Sequence, residues 1–147
     1  AYSDNYYLDD GAYLACLIVA AAAKLKKEGK DIETLIDALG SPAEAREIRF
    51  SLDRENFVKI GTAILEGMPD WAAKTAGLSL EEPNHEGVRV NYDRNGHTGW
   101  FLLRKSLHDP VLPLNVEATH EGGIAEVLPL LKAYLEGFDG IDLSPLE

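Results

Sequence analysis

The sequence predicts an α+β domain in which helices cover one face of an antiparallel sheet. From residue 46 onward, segments with strand-like alternation of apolar residues are mixed with segments of helical spacing, in the order strand, helix, strand, strand, strand, helix. Short turns join the last three strands, so neighbouring strands are expected to be antiparallel. We therefore expect about four strands with two helices on one face, and an opposite face that is free to meet other groups.

The first 41 residues are expected to be helical and to form a separate unit. Asp9 or Asp10 can cap a helix over residues 11–28, and Gly29 can end it. Because this helix is apolar on all sides for most of its length, it needs cover, and its cysteine, Cys16, is expected to be a buried thiol. A small chain supplies that cover poorly, which suggests that a larger partner domain is missing.

A second helix is predicted over residues 31–39, before a linker-like segment, GSPAEA, that places a domain boundary near Ser41. Four apolar residues form one stripe of this helix: Ile32, Leu35, Ile36 and Leu39. Residues 1–41 and 42–147 are therefore expected to be different domains.

The remaining elements follow from the spacing of apolar residues. EIRFSL, EGVRVNYD, GWFLLRKS and VLPLNVEA are the predicted strands. Asp53 is expected to cap the helix after the first strand, and GMPDWAAKTAG to end it through turns or a short extra helix. The last helix, over residues 123–137, contains Pro129, which predicts a kink or a late start because an interior proline costs ~3 kcal/mol.

Composition excludes several functional classes. The formal net charge of −11 opposes binding to nucleic acid, although it permits one local anion pocket. The apolar run over residues 12–23 is shorter than the ~20 residues that span a membrane, and no basic leader precedes it, so we expect a cytoplasmic protein without a membrane partner. The four histidines are too scattered to predict a metal site: His85, His97, His108 and His120.

The segment RKSLHDP, residues 104–110, is unusually polar for a connection between two apolar strands. Arg104 suits bidentate contact with phosphate or carboxylate, Ser106 offers a hydroxyl, and the N–H groups of Ser106, Leu107 and His108 can form a concave nest for an anion. Lys105 is out of phase with Arg104 and is expected to face solvent. The alternative is a surface hairpin turn with incidental charges.

A second polar segment, EEPNHEGVRVNYD, is a weaker candidate. Asn84, His85, Glu86 and Arg89 surround Gly87, and the alternation of the strand turns Arg89 away from the core. The alternative is the solvated face of a strand.

Taken together, these segments resemble the C-terminal domain of the phosphohexomutases, the phosphomannomutase/phosphoglucomutase superfamily. The resemblance rests on Gly87-Val88-Arg89-Val90, on Gly99-Trp100, on the segment from Arg104 to Pro110, and on Val116-Glu117-Ala118. The start, YYLDDGAYLACLIV, is similar to the segment after the sugar-recognition loop of the family's third domain. The resemblance implies that residues 1–41 are the helical end of domain three. It also implies that residues 42–147 are domain four, with a TATA-box-binding-protein-like fold.

The resemblance also implies a function. The parent enzyme would interconvert hexose 1- and 6-phosphates through a phosphoserine and a bisphosphate intermediate, with Mg²⁺ bound in a domain outside this chain. This part would bind the non-reacting phosphate of the phosphosugar, close the cleft together with the remaining domains of the parent chain, and catalyse nothing alone. The resemblance carries phosphate binding to Arg104, Ser106, the Leu107 amide and His108, with Arg89, Lys105 and Asp109 in supporting roles.

Two departures and two rival functions remain open. The family commonly has Thr where His108 stands and Glu where Asp109 stands, so His108 either contacts phosphate as a charged donor or turns away. The chain could instead be a stand-alone anion-binding or protein-interaction module, or an oligomerisation domain. The identity of the hexose is not predicted.

Overall fold

The computed structural model describes residues 3–147, and these divide into two compact units with the boundary between Gly40 and Ser41. In the first unit, helix α1 spans Gly11–Lys27, and the Asp10 side chain accepts a hydrogen bond from the Tyr13 N–H at 2.9 Å. This bond lowers the pKa of Asp10. Of the two N-caps that the sequence allows, Asp9 and Asp10, the helix uses Asp10, whose carboxylate satisfies an N–H group that lacks an intrahelical acceptor.

The first unit has no core of its own. None of its described residues is buried, and α1 exposes apolar side chains such as Val19, which is 67% exposed. The prediction that Cys16 is buried is therefore wrong for this structure, where the thiol is exposed. The physical reason is that a single helix and one short turn supply no second layer against which an apolar face can pack.

The second predicted helix is also wrong in extent. Only a 3₁₀ turn forms, over Ile32–Leu35, and three residues of the predicted stripe, Leu35, Ile36 and Leu39, are exposed. Helical spacing alone does not stabilise so short a segment, because most helical stability in proteins comes from packing of an apolar face.

The second unit contains a five-stranded antiparallel sheet and two helices. The strands are β1, Glu44–Ser51; β2, Leu78–Leu80; β3, Val88–Arg94; β4, His97–Leu103; and β5, Val111–Ala118. Helix α2 spans Phe57–Lys74 and helix α3 spans Gly123–Leu135. The strand order is β1-β5-β4-β3-β2, so β5 lies between the first strand and the β3–β4 hairpin.

Both helices pack on the same face of the sheet. Alternate residues of the strands, including Phe50, Phe101 and Leu114, are fully buried beneath α2 and α3. The two helices also meet each other, since the Tyr134 ring stacks on Trp71 at 4.7 Å. This layer arrangement confirms the predicted α+β class with helices on one face.

Three details differ from the sequence predictions. The sheet has five strands rather than about four, because residues 78–80 pair with β3. Helix α2 continues through Pro69, and its N-cap is Asn56 rather than Asp53. A proline is tolerated where the helix buries a strong apolar face, since packing offsets the lost backbone hydrogen bond.

A carboxylate from the sheet caps helix α3. The Glu44 side chain accepts hydrogen bonds from the N–H groups of Gly122 and Ile124, each at 3.0 Å. The hydrogen bond from Ile124, then the one from Gly122, and to a smaller extent the nearby His97 imidazole lower the pKa of Glu44. Helix α3 is thereby tied to the start of β1 by a contact that local sequence patterns do not reveal.

Candidate anion-binding site

The polar loop of residues 104–110 connects the end of β4 to the start of β5. Arg104 continues the ladder, because its N–H donates to the Pro113 carbonyl at 3.0 Å, and the Pro110 carbonyl accepts from the Leu52 N–H at 2.8 Å. These two bonds fix both ends of the loop against neighbouring backbone.

Gly87 supports the loop from the other side. It lies just before β3, with φ +83°, and packs against the backbone where β4 ends. A Cβ at this position would overlap the Leu103 carbonyl oxygen and would lie 2.7 Å from the Arg104 Cβ. Only glycine permits this approach, so the EGVRV segment and the RKSLHDP segment meet in space.

The tip of the loop is a turn organised by Ser106. Its hydroxyl oxygen accepts from the Asp109 N–H at 3.2 Å, and its own N–H donates to the Val111 carbonyl at 3.3 Å. The Asp109 carbonyl in turn accepts from the Val111 N–H at 2.8 Å. The Ser106 amide is thus engaged inside the loop, whereas its hydroxyl proton stays available as a donor.

Three strong donors of this loop have no acceptor within residues 3–147. They are the guanidinium of Arg104 and the N–H groups of Leu107 and His108, for which the described chain provides no hydrogen bond or ion pair. A cation and two adjacent amides are the groups that proteins use to bind phosphate or carboxylate.

The loop residues differ in exposure and direction. Leu107 is 83% exposed, and His108 and Asp109 are exposed as well. Arg104 is half-buried and, by the alternation that buries Leu103, lies on the face of the sheet opposite the helices. Asp109 supports the turn through its N–H, which donates to the Ser106 hydroxyl oxygen, and its exposed carboxylate carries the same sign of charge as an anion.

Lys105 does not face solvent, in contrast to the sequence prediction. Lys105 is two residues after the buried Leu103, so both side chains lie on the side of the sheet that the helices cover. There the Lys105 ammonium donates to the Thr62 Oγ1 of α2 at 3.1 Å. Local sequence patterns do not indicate this contact, because 43 residues separate its partners.

The second candidate segment, EEPNHEGVRVNYD, forms a turn before β3 that is closed by hydrogen bonds of Asn84. The Asn84 amide oxygen accepts from the Arg89 N–H at 2.8 Å, and its amide nitrogen donates to the Glu81 carbonyl at 2.6 Å. His85 and Glu86 are exposed near Gly87. Asn84 thus closes the turn before β3.

Arg89 lies on the same open face of the sheet as Arg104, but its head leans elsewhere. Its guanidinium carbon is 4.4 Å from the centre of the Trp100 ring, and its Nε is buried without a hydrogen-bond partner in the described chain. Arg89 pairs with Leu102 of β4, two residues before Arg104, and its guanidinium lies over the Trp100 ring. Among the described residues, no hydrogen bond or ion pair joins the Arg89 side chain to the loop.

Two further observations concern metal sites and membrane-spanning helices. Within the described residues, no group of three or more His, Cys, Asp or Glu side chains is placed to hold a metal ion. Across the same part of the chain, no helix combines the length and apolar character that crossing a membrane requires.

The chain is similar to solved structures of other proteins. An X-ray structure of a phosphoglucomutase/phosphomannomutase family protein from Burkholderia thailandensis aligns with 92% of this chain at 24% identity and a TM-score of 0.59. The chain spans about a quarter of that protein's length, since the alignment covers 26% of it. No family model and no curated protein matches the chain. The likeness establishes a shared fold.

Proposed function

We propose that the chain is the C-terminal part of a phosphohexomutase of the phosphomannomutase/phosphoglucomutase type, and that residues 104–110 bind the non-reacting phosphate of the substrate. One observation carries the proposal: on a fold shared with such a family protein, this loop presents Arg104 and the Leu107 and His108 amides without any acceptor in the described chain. The Ser106 hydroxyl adds a fourth donor.

The chemistry of the loop suits a phosphate that does not react. Binding a remote group supplies free energy for positioning the substrate and for closing the cleft. A mutase of this type must accept its substrate in two orientations, so the same loop would meet a phosphate on either end of the sugar. Amides, a hydroxyl and a guanidinium recognise the phosphate and leave the sugar to other parts of the protein.

The activity of the whole protein follows from the same proposal. Phosphoryl transfer between hexose 1- and 6-phosphates would take place on a phosphoserine and with Mg²⁺ held outside this chain, and this chain alone would be inactive. The proposal assigns no metal ligand here. The sequence encoded upstream of Ala1 tests this directly, because a serine loop and an aspartate-rich metal segment are required there; a start codon immediately before Ala1 would favour a stand-alone binding module.

A titration tests the binding role itself. Adding glucose 1-phosphate, mannose 1-phosphate or inorganic phosphate to the isotope-labelled chain should shift the amide signals of residues 106–108. Affinity in the millimolar range is expected, about −4 kcal/mol, since one loop without the rest of a cleft makes few contacts. Unphosphorylated glucose and mannose are the matched controls and should leave those signals unchanged. No response to any phosphate at tens of millimolar would refute the loop assignment.

A further inference from the structure

Lys105 connects the candidate loop to helix α2 through a specific contact. Its ammonium donates to the Thr62 hydroxyl oxygen at 3.1 Å, and both residues are half-buried. Within the described residues, Lys105 forms no ion pair with a carboxylate. The contact is therefore a single directed hydrogen bond from a half-buried cation, whereas most surface lysines are free to move in solvent.

The aliphatic part of the Lys105 side chain packs over Gly61 of α2. Gly61 is buried in the interior of α2, where glycine is unfavourable for helix formation. A Cβ at this position would lie 3.2 Å from the Lys105 Cδ and 3.3 Å from the Lys105 Cγ. The absence of a side chain at position 61 thus leaves room for the lysine stem to cross the helix surface.

Lys105 also stands between the groups that the loop presents. The preceding residue, Arg104, lies on the opposite face of the sheet, and the next residue, Ser106, organises the turn that contains the Leu107 and His108 amides. Holding Lys105 against α2 therefore fixes the backbone at the midpoint between the guanidinium and the amide pair.

We propose that Lys105 is a positioning residue, which anchors the loop to Thr62 and Gly61 of α2 and so holds Arg104 and the loop amides in a fixed arrangement. Its effect on phosphate affinity rests on the proposed function, whereas its effect on loop order does not. Lys105 is not assigned a phosphate contact, because its side chain runs along the helix layer while Arg104 lies on the open face.

Hydrogen exchange on the ligand-free chain tests the anchor. Lys105→Met keeps the stem and removes the charge, and Thr62→Val keeps the shape and removes the acceptor. Each change should speed exchange of the Ser106 and Asp109 amides roughly 2–10-fold, the scale of one hydrogen bond, and the double variant should show no further increase. Lys59→Met, an exposed lysine of the same helix, is the control and should leave these rates unchanged. Equal rates in Lys105→Met and Lys59→Met would overturn the proposal.

Phosphate titration of the same variants separates positioning from direct contact. Weaker binding in both Lys105→Met and Thr62→Val, with thermal midpoints near that of the unmodified chain, supports positioning. Weaker binding in Lys105→Met with unchanged binding in Thr62→Val would overturn it, because that result identifies Lys105 as a phosphate contact. Should Lys105→Met fail to fold, Thr62→Val alone decides. If the unmodified chain binds no phosphate, the proposed function fails, and hydrogen exchange still decides whether the anchor exists.

Discussion

Two regions of the second unit gather backbone N–H groups at the end of a sheet, and they differ in what those groups meet. At the start of α3, the N–H groups of Gly122 and Ile124 donate to the Glu44 carboxylate. In the loop of residues 104–110, the Leu107 and His108 N–H groups find no acceptor among the described residues. The first region is completed by the protein's own anion, and the second carries an arginine suited to an anion from outside.

The two sets of N–H groups are expected to have different roles, one in folding and the other in ligand binding. A carboxylate that caps a helix contributes to folding, because it satisfies donors that would otherwise lack partners. Donors left without a protein acceptor contribute nothing to folding, but they can bind a ligand. Changes in the first region should therefore affect stability, and changes in the second should affect phosphate binding.

The largest effect is expected from the glycine that supports the loop. Gly87→Ala must accept a left-handed backbone, about 1–2 kcal/mol, and an overlap with the Leu103 carbonyl, about 1–3 kcal/mol, so a loss of about 2–5 kcal/mol in unfolding free energy is expected. Gly96→Ala is the matched control, with φ +80° and nothing within 4 Å, and should lose only the backbone part. Urea denaturation measures both, and equal losses would show that the close contact is unimportant.

The next largest effect is expected on phosphate affinity, with little effect on the stability of the fold. Arg104→Met should weaken phosphate binding about 10-fold or more, because a hydrogen bond to a charged group contributes about 1.5–3 kcal/mol. The thermal midpoint should change little, since the guanidinium has no partner in the described chain to lose. Arg89→Met is the comparison variant on the same open face. Equal weakening by the two variants would assign binding to the charge of that face rather than to the loop.

The opposite pattern is expected at the start of α3. Because hydrogen bonds from Ile124 and Gly122 lower the folded pKa of Glu44, its stabilising contribution is present above its ordinary pKa and is lost as the pH falls through the folded pKa. Glu44→Gln should therefore lower the thermal midpoint at neutral pH and reduce its acid dependence, while phosphate binding is unchanged. Glu47→Gln, on the exposed side of β1, is the control; an identical acid profile in both variants would contradict the capping role.

The smallest effect is expected at the tip of the loop. Leu107 is 83% exposed, so Leu107→Ala should change the unfolding free energy by no more than about 0.5 kcal/mol. Phosphate binding should also persist, because the residue contributes its backbone N–H. A titration that shows lost binding in this variant would mean that the side chain itself contacts the ligand.

Sequence patterns predicted the features that depend on residues close together in the chain. Apolar runs predicted the strands on either side of residues 104–110, and the polar excess of those residues indicated the candidate loop. Contacts across the chain were not predictable: Glu44 reaches α3 over a separation of 80 residues, and Lys105 reaches Thr62 over 43. The exposure of Cys16 was missed because apolar composition indicates which residues need cover and does not supply the layer that provides it.

A phosphate titration is the most direct test of binding at residues 104–110, because it observes both regions in the same spectra. Inorganic phosphate is added to the isotope-labelled chain at constant pH, with sodium chloride matched for ionic strength as the reference series. The Leu107 and His108 amides should show saturable shifts, and the Gly122 and Ile124 amides should not shift. Unmoved Leu107 and His108 signals, or a response centred on Gly122 and Ile124, would refute phosphate binding at the loop.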